Sequence, residues 1–412
     1  MASSATVGSL WECSALLRAR HAVGIFFKVQ WVLHVVPDMR VGVLGGAGDM
    51  GFGAVRFLAG QERVEEVVVF DLRPERAPLG ELGELRGKVR CVKADASKPS
   101  ELAEALRKER VDSAVGAIGP FYELARPVVE AAIKSGVPLV DICDDYDGAM
   151  ASLELSSEAA KAGVTCITGL GWTPGLSNLL AAKGHRELDS CRSIDISWVG
   201  SAADSKGLAV VMHVFHACTG KVPMYLDGEL KEVEAGSGKE PKLFPKPFGE
   251  VKVFYTGHPE PVTIPKHLKV ERVTLKGALV PEWQNSLVAL FVKLGLTKTP
   301  GRKRKLSKII HSIEDLFRAG GVQASGLRVD VSGELKGEEV TLTYGMVDRM
   351  WRLTSIPAAL GAMMLASREL DEPGVHPPEA AIPAEDFLKR VAEAGLKILK
   401  LERGEWREVE YS

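Results

Sequence analysis

The stretch from Val41 to Val55 leaves a chain few options. Val41, Val43 and Leu44 form an apolar run that stops at Gly45, Gly46, Gly48 and Gly51, after which Met50, Ala54, Val55 and Leu58 recur on one helical face. Gly46, Gly48 and Gly51 satisfy G-x-G-x-x-G in its meaningful context, a strand before and a helix after. In that reading Gly46 makes the tight turn, Gly48 lets the backbone approach a pyrophosphate, and Gly51 lets helix and strand pack closely. The helix start then offers free N–H groups and a positive dipole end to phosphates. Gly46, Ala47, Gly48, Asp49, Met50 and Gly51 are therefore the expected cradle. A glycine-rich turn by itself is weak evidence, but the next apolar stretch, VEEVVVFD, ends in an acid at Asp71. That is about twenty residues past the motif, where a carboxylate meets a ribose 2′-OH.

Asp71 favours NAD over NADP, because a carboxylate accepts the 2′-OH and repels a 2′-phosphate. Arg73 and Arg76, close behind it and beyond Leu72, could grip that phosphate if Asp71 swung away. The expected cofactor is thus NAD or NADP, with the balance toward NAD. Asp95 and Ala96, at the end of the strand VRCVKAD, belong either beside the adenine or to an ordinary turn. Ala117, Ile118, Gly119 and Pro120 close the next strand and complete the expected cofactor contacts.

From Met39 onward strands and helices alternate, the signature of a parallel sheet covered on both faces. The fold class expected is α/β, a Rossmann dinucleotide-binding domain with an inserted mixed α/β domain. The first spans 39–175. After the helix PGLSNLLAAKGHREL the pattern changes to alternating strands with an Asp227-Gly228 hairpin signal, so 176–350 reads as an inserted substrate or dimerisation domain. KTPGRKRKLSK, from Lys298 to Lys308, reads as a basic solvated loop. Residues 351–412 read as helices that return to the first domain, through the Pro-rich connection GVHPPEAAIP. Residues 1–38 fit poorly. Their apolar segment AVGIFFKVQWVLHVV is interrupted by Lys28 and His34, lacks a signal-peptide cleavage site and is too short to span a bilayer. Met39 is the expected true start.

Bulk properties narrow the function. At 412 residues, with 46% hydrophobic and 26% charged residues, the chain is an ordinary globular protein of at least two domains. A net charge of -2 argues against a general nucleic-acid or membrane-surface partner. Six scattered cysteines without a C-x-x-C pair point to reduced thiols in the cytoplasm. Cys143 and Cys166 read as inert buried thiols.

Strand ends carry the candidate chemistry, because ligands of open α/β sheets bind there. Asp141, Asp144 and Asp145, followed by Tyr146, crowd one such end. Clustered carboxylates in a dry crevice push one pKa upward and yield a general acid/base. Asp141, Asp144, Tyr146 and His258 are the catalytic candidates, although a terminal Asp equally caps a helix. Thr173, Pro174, Gly175 and Ser177 begin a helix that could hold a substrate carboxylate, or Ser177 merely caps it. His213 and His216 share a helix face. They read as substrate-facing or core histidines and, with no third ligand at a telling spacing, not as a metal site.

With these residues in hand, the chain resembles the saccharopine dehydrogenase family. The matching pieces are GGAGDMG (Gly45 to Gly51), AIGPF, VDICDDY, GLGWTPGLSN, HACTGKVP with YLDGE, GHPEP (Gly257 to Pro261), KGALVPEW, and SIPAALGAMML with GVHPPEAAI. They run in order from Met39 to about Gly395, with the GHPEP segment marking one branch. The resemblance implies hydride transfer between a nicotinamide and a carbon–nitrogen centre of an amino acid or polyamine-like small molecule, in a homodimer. Two other readings stay open: reduction of a C=C or C=O bond on a larger apolar substrate, suggested by the helix LAVVMHVFHA, and a non-catalytic dinucleotide-binding sensor.

Overall fold

The computed structural model describes residues 38–318 and 321–411. The expectation that 1–38 is an extension ahead of a true start at Met39 therefore lies outside the described residues. The first sheet contains β1 (Met39–Leu44), β2 (Val64–Asp71), β3 (Val89–Lys93), β4 (Ser113–Gly116), β5 (Leu139–Asp141), β6 (Thr165–Ile167) and, from far along the chain, β15 (Gly374–His376). Their order is β15-β6-β5-β4-β1-β2-β3, and every pairing is parallel. Val41, Val43 and Leu44 are wholly buried, as are Val67 to Val69. Strands covered on both faces need apolar residues at every position, which is why these run without alternation. Strand order reverses between β1 and β4, and the ligand crevice of such a sheet opens at that switch point.

The helix Met350–Ala366 lies over this sheet. Ser355 Oγ donates to the Met50 carbonyl at 2.6 Å and Ser113 Oγ to the Ala362 carbonyl at 2.7 Å. The connection GVHPPEAAIP is more than a linker, since its Gly374–His376 pairs with β6.

The second sheet is mixed. It contains β7 (Ser190–Ser201), β8 (Lys221–Leu226), β9 (Glu229–Glu234), β10 (Glu240–Phe244), β11 (Gly249–Tyr255), β12 (Arg272–Val280), β13 (Ser325–Leu335), β14 (Glu338–Asp348), β16 (Leu399–Glu402) and β17 (Glu405–Glu408). The spine runs β10-β11-β12-β7-β13-β14-β16-β17, with β12 parallel to β7 and the remaining neighbours antiparallel. β8 and β9 form a hairpin whose Asp227 and Gly228 both take positive φ, as a two-residue hairpin turn requires.

Two sequence expectations change. The basic segment is not a loop: Pro300–Ser312 is helical, with Thr299 Oγ1 accepting from Arg302 N at 3.3 Å. A threonine cap followed by a first-position proline starts a helix well, and the run of charge hid that signal. Finally, residues 351–412 do not all join the first sheet, because β16 and β17 extend the second through β14.

Candidate active site

A cavity of about 1110 Å³ runs from the glycine turn, past the ends of β2, β4 and β5, to the helices of the second half. The turn is built slightly differently from the motif's usual division of labour. Gly45 takes the positive φ of +82°, and a Cβ there would meet the Ala117 carbonyl oxygen at 2.5 Å. Gly46 is needed for packing, since a Cβ would lie 2.9 Å from Val69 Cγ1. Gly51 brings the helix Asp49–Ala59 onto the turn so closely that a Cβ would sit 2.2 Å from the Gly45 carbonyl oxygen. Gly48, by contrast, lines the cavity and has open space beside it, with the nearest atom at 3.4 Å. A backbone cradle at a helix start, bare of side chains on its open face, fits a pyrophosphate.

Asp71 ends β2 at the cavity wall, held on both oxygens: Ala47 N–H donates to Oδ2 at 3.2 Å and Arg73 N–H to Oδ1 at 2.9 Å. Leu72, Arg73, Asp95, Ala96 and Ala117 to Pro120 line the same wall. Asp95 accepts from Ser97 N–H and Oγ at 3.0 and 2.7 Å, and these bonds hold its carboxyl below the usual range. Asp49 and Met50 line the wall too, whereas Gly46 and Gly51 lie behind it.

Across the cavity from this cradle, the segment after β5 meets the helix Leu208–Ala217. His213 Nδ1 is 2.9 Å from Asp145 Oδ1 and 3.2 Å from Asp144 Oδ1. Asp145, wholly buried, also accepts from Tyr122 N–H at 3.1 Å. Burial opposes charge on His213, but the two carboxylates outweigh it and push its pKa up to about 10. Burial raises Asp144 above the usual carboxylate range, although His213 pulls it down. Asp145 is also opposed by burial, yet hydrogen bonding and charge from His213 hold it low. These three groups form the described residues' one cluster able to surround a cation, and a protonated His213 already supplies the positive charge the carboxylates need.

His258 stands over His213, edge to face, with ring centroids 5.0 Å apart, and 6.0 Å from Trp198. It lines the cavity, and both its ring nitrogens are buried without a well-formed hydrogen bond among the described residues. Burial, reinforced by the His213 charge, drives its pKa well below the ordinary value. The result is a neutral imidazole beside an imidazolium.

The remaining sequence candidates fall elsewhere. Asp141 does not line the cavity. Its Oδ1 accepts from Cys143 N–H, Thr168 Oγ1 and Gly169 N–H at 3.0, 3.0 and 2.9 Å, tying β5 to β6, and burial lifts its pKa to about 6. Tyr146 and His216 face each other away from the cavity. His216 is held by Asp147 at 3.1 Å and by Lys303 Nζ at 2.7 Å, and stacks on Tyr122 at 4.3 Å. Thr173 and Pro174 line the cavity, but Gly175 and Ser177 lie beneath it.

Glu260, in the same GHPEP segment as His258, was not a sequence candidate. It accepts from Thr173 Oγ1 at 2.6 Å and Ser177 Oγ at 2.7 Å, which couples the His258 segment to the turn at Thr173. Burial raises its pKa to about 7. Trp172 and Trp198 line the cavity as well, Trp198 beside His258. Toward the second half the wall is largely apolar, with Met212, Phe215, Leu287, Val288, Phe291 and Ile310, and carries Gln284 and the His311–Glu314 pair among them.

Comparison with known proteins agrees with this architecture. Residues 41–167 match the saccharopine dehydrogenase NADP binding domain and residues 171–396 the saccharopine dehydrogenase C-terminal domain. The saccharopine dehydrogenase (L-Glu forming) of Saccharomyces cerevisiae has the same fold, with a TM-score of 0.66 and 16% identity over 88% of this chain and 100% of that one. Weaker similarity reaches the amine dehydrogenase of Mycobacterium smegmatis (TM-score 0.45, 13% identity, covering 83% of this chain and 95% of that one). The DAP dehydrogenase of C. glutamicum stands at a similar level (TM-score 0.44, 14% identity, 86% and 99%). Both halves of the chain being matched in order, around a dinucleotide cradle that faces ionisable groups, the protein belongs to the saccharopine dehydrogenase family and is an NAD(P)-dependent oxidoreductase.

Proposed function

We propose that the protein is NAD-dependent and oxidises or forms a carbon–nitrogen bond on an amino-acid-like substrate, with Asp144 as the proton-exchanging group. The observation that carries this is the Asp144–Asp145–His213 cluster and neutral His258, on the cavity wall facing the dinucleotide cradle. The preference for NAD rests on Asp71, whose two oxygens are each engaged by a backbone N–H. Swinging aside to admit a 2′-phosphate would break both bonds, and the carboxylate would repel the phosphate where it stands. When bound along the cradle, the dinucleotide supplies the hydride acceptor or donor.

An amine loses hydride only after losing a proton, so the site must hold a base near the substrate nitrogen. Asp144 lines the cavity, and burial raises its pKa above the usual carboxylate range. Asp145 fixes the His213 ring and keeps it cationic, so that Asp144 can carry charge in a dry site. Neutral His258 offers one donor and one acceptor to the substrate. Glu260 holds that segment and the Thr173 turn in register.

One observation favours a second reading, the apolar far end of the cavity. A C=C or C=O reductase on a larger apolar substrate would use the same cradle. Following the nicotinamide absorbance separates the two: NAD with amino acids and polyamines, NADH with 2-oxo acids plus amines, and NADH with enones and ketones of increasing chain length. An apolar subsite raises kcat/KM by roughly threefold to fourfold per added methylene. On the first reading Asp144→Asn and His258→Ala cut turnover more than cofactor affinity. Wild-type rates in both variants would sink the site assignment.

A further inference from the structure

The helices that close the apolar end of the cavity, Trp283–Lys293, Pro300–Ser312 and Glu314–Arg318, have a second face. Leu287, Val288 and Phe291 point one way, into the cavity, and Phe291 packs on Phe215. Trp283, Leu290 and Leu294, on the solvent side of the same stretch, are 49%, 48% and 62% exposed. Ile309 in the last turn of Pro300–Ser312, Ile313 at the break after it and Leu316 on the next helix are 51%, 40% and 71% exposed. Most of the large exposed apolar side chains among the described residues belong to this segment. Scattered exposed hydrophobics need no explanation, but their concentration on one short stretch of chain marks an interaction surface.

Charge identifies what covers it. Between Trp283 and Ile313 the sequence carries Lys293, Lys298, Arg302, Lys303, Arg304, Lys305 and Lys308 and no acid. Arg304 is paired with Glu123 and Lys303 with His216. Lys293, Lys298, Lys305 and Lys308 are exposed and form no ion pair among the described residues. A two-fold dimer through this surface would set the same patch against itself, bringing like charges together around the apolar stripes. An anionic bilayer surface is complementary on both counts: its acyl boundary takes Leu, Ile and Trp, and its headgroups attract lysine.

We propose that the helical segment 283–318 docks the protein on an anionic lipid bilayer, lying in the interface without spanning it. No helix among the described residues is long and apolar enough to cross a membrane. Docking sets this end of the cavity close to the bilayer surface, because Leu290 is exposed while its neighbour on the same helix, Phe291, lines the cavity.

The test is sedimentation of the full chain with vesicles of phosphatidylcholine alone and of phosphatidylcholine containing phosphatidylglycerol. Binding is expected only with the anionic lipid, weakening as salt rises. Lys305→Gln with Lys308→Gln should lower the partition coefficient about 25-fold, roughly fivefold per lysine. Leu290→Ser with Leu316→Ser should abolish binding even at low salt, while both exposed positions leave folding, checked by circular dichroism, intact. Absence of binding to anionic vesicles overturns the proposal. So does binding that survives both double variants, or a concentration-dependent dimer, seen by sedimentation velocity, that the Leu290→Ser/Leu316→Ser variant dissociates.

Discussion

Replacing Asp145 by Asn tests whether the site is organised around a charged histidine. The substitution keeps size and an amide oxygen for the Tyr122 N–H, 3.1 Å away, but removes one of two charges facing His213. Removing one partner of a buried ion pair costs about 3–5 kcal/mol. Because Asp144 remains 3.2 Å from His213 Nδ1, the loss should fall at the low end, about 3 kcal/mol. The sign with pH follows from the direction of the shift. The folded-state pKa of His213 is raised from 6.5 to about 10, so the stabilisation is fully present below the lower value and is lost as pH rises through the upper one.

Urea unfolding of wild type and Asp145→Asn should therefore differ most near pH 6 and converge steadily as pH approaches about 10. Taking the difference cancels the lysines and tyrosines that titrate in the same range in both proteins. Independently, the NMR titration midpoint of the His213 ring should fall by about 1–3 pH units in the variant. A stability difference that ignores pH, together with an unmoved midpoint, would refute the ion-pair account and leave Asp145 as a helix-entry residue only.

The cofactor and the Glu260 bridge yield further expectations. Asp71→Ser removes a charged acceptor worth about 1.5–3 kcal/mol, so kcat/KM for NAD should fall roughly 10- to 100-fold while that for NADP rises; NADP remaining as poor a cofactor as before would count against the fixed carboxylate. Gly51→Ala forces a Cβ toward a backbone oxygen at 2.2 Å, which a carbonyl cannot yield to cheaply. NADH binding, followed by fluorescence, should weaken about tenfold or more, and an unchanged Kd would mean that the helix start is free to shift. Glu260, raised to about 7, stabilises the fold below pH 4.5 and loses that contribution as pH rises through its folded-state pKa. Glu260→Gln, which keeps the acceptor for Thr173 and Ser177, should unfold at higher urea than wild type near pH 8, by roughly 1–3 kcal/mol, and a loss of stability there would show that the carboxylate charge is needed.

The first sheet was readable because its physics is local. Strands buried on both faces leave continuous apolar runs, and glycines forced by close backbone approach leave a motif. What sequence reading could not reach was pairing at a distance. His213 meets Asp145 across 68 positions and Thr173 meets Glu260 across 87, and no periodicity carries such information. The i, i+3 relation of His213 and His216 placed both on one helix, yet one points at the cavity and the other at Asp147 and Lys303. Asp141 and Asp144 were alike in sequence, both acids after a strand. Three hydrogen-bond donors spend Asp141 on joining strands, whereas Asp144 is left to the cavity.

Whole-chain averages are silent in a related way. A net charge of -2 argued against a membrane surface, but the sum says nothing of where charges lie. The acids are spread through ion pairs over both halves of the molecule, while seven basic residues and no acid sit between Trp283 and Ile313. The same basic run disguised the helix Pro300–Ser312 as a solvated loop. A loop would have left its isoleucines scattered. As a helix it leaves Ile309 exposed and turns Ile310 toward the cavity. One wrong local assignment thus concealed both the apolar wall of the cavity and the outer face behind it. The two faces belong to one structural fact: a thin helical wall that has apolar surface on either side, with the cradle and its ionisable cluster beyond the inner one.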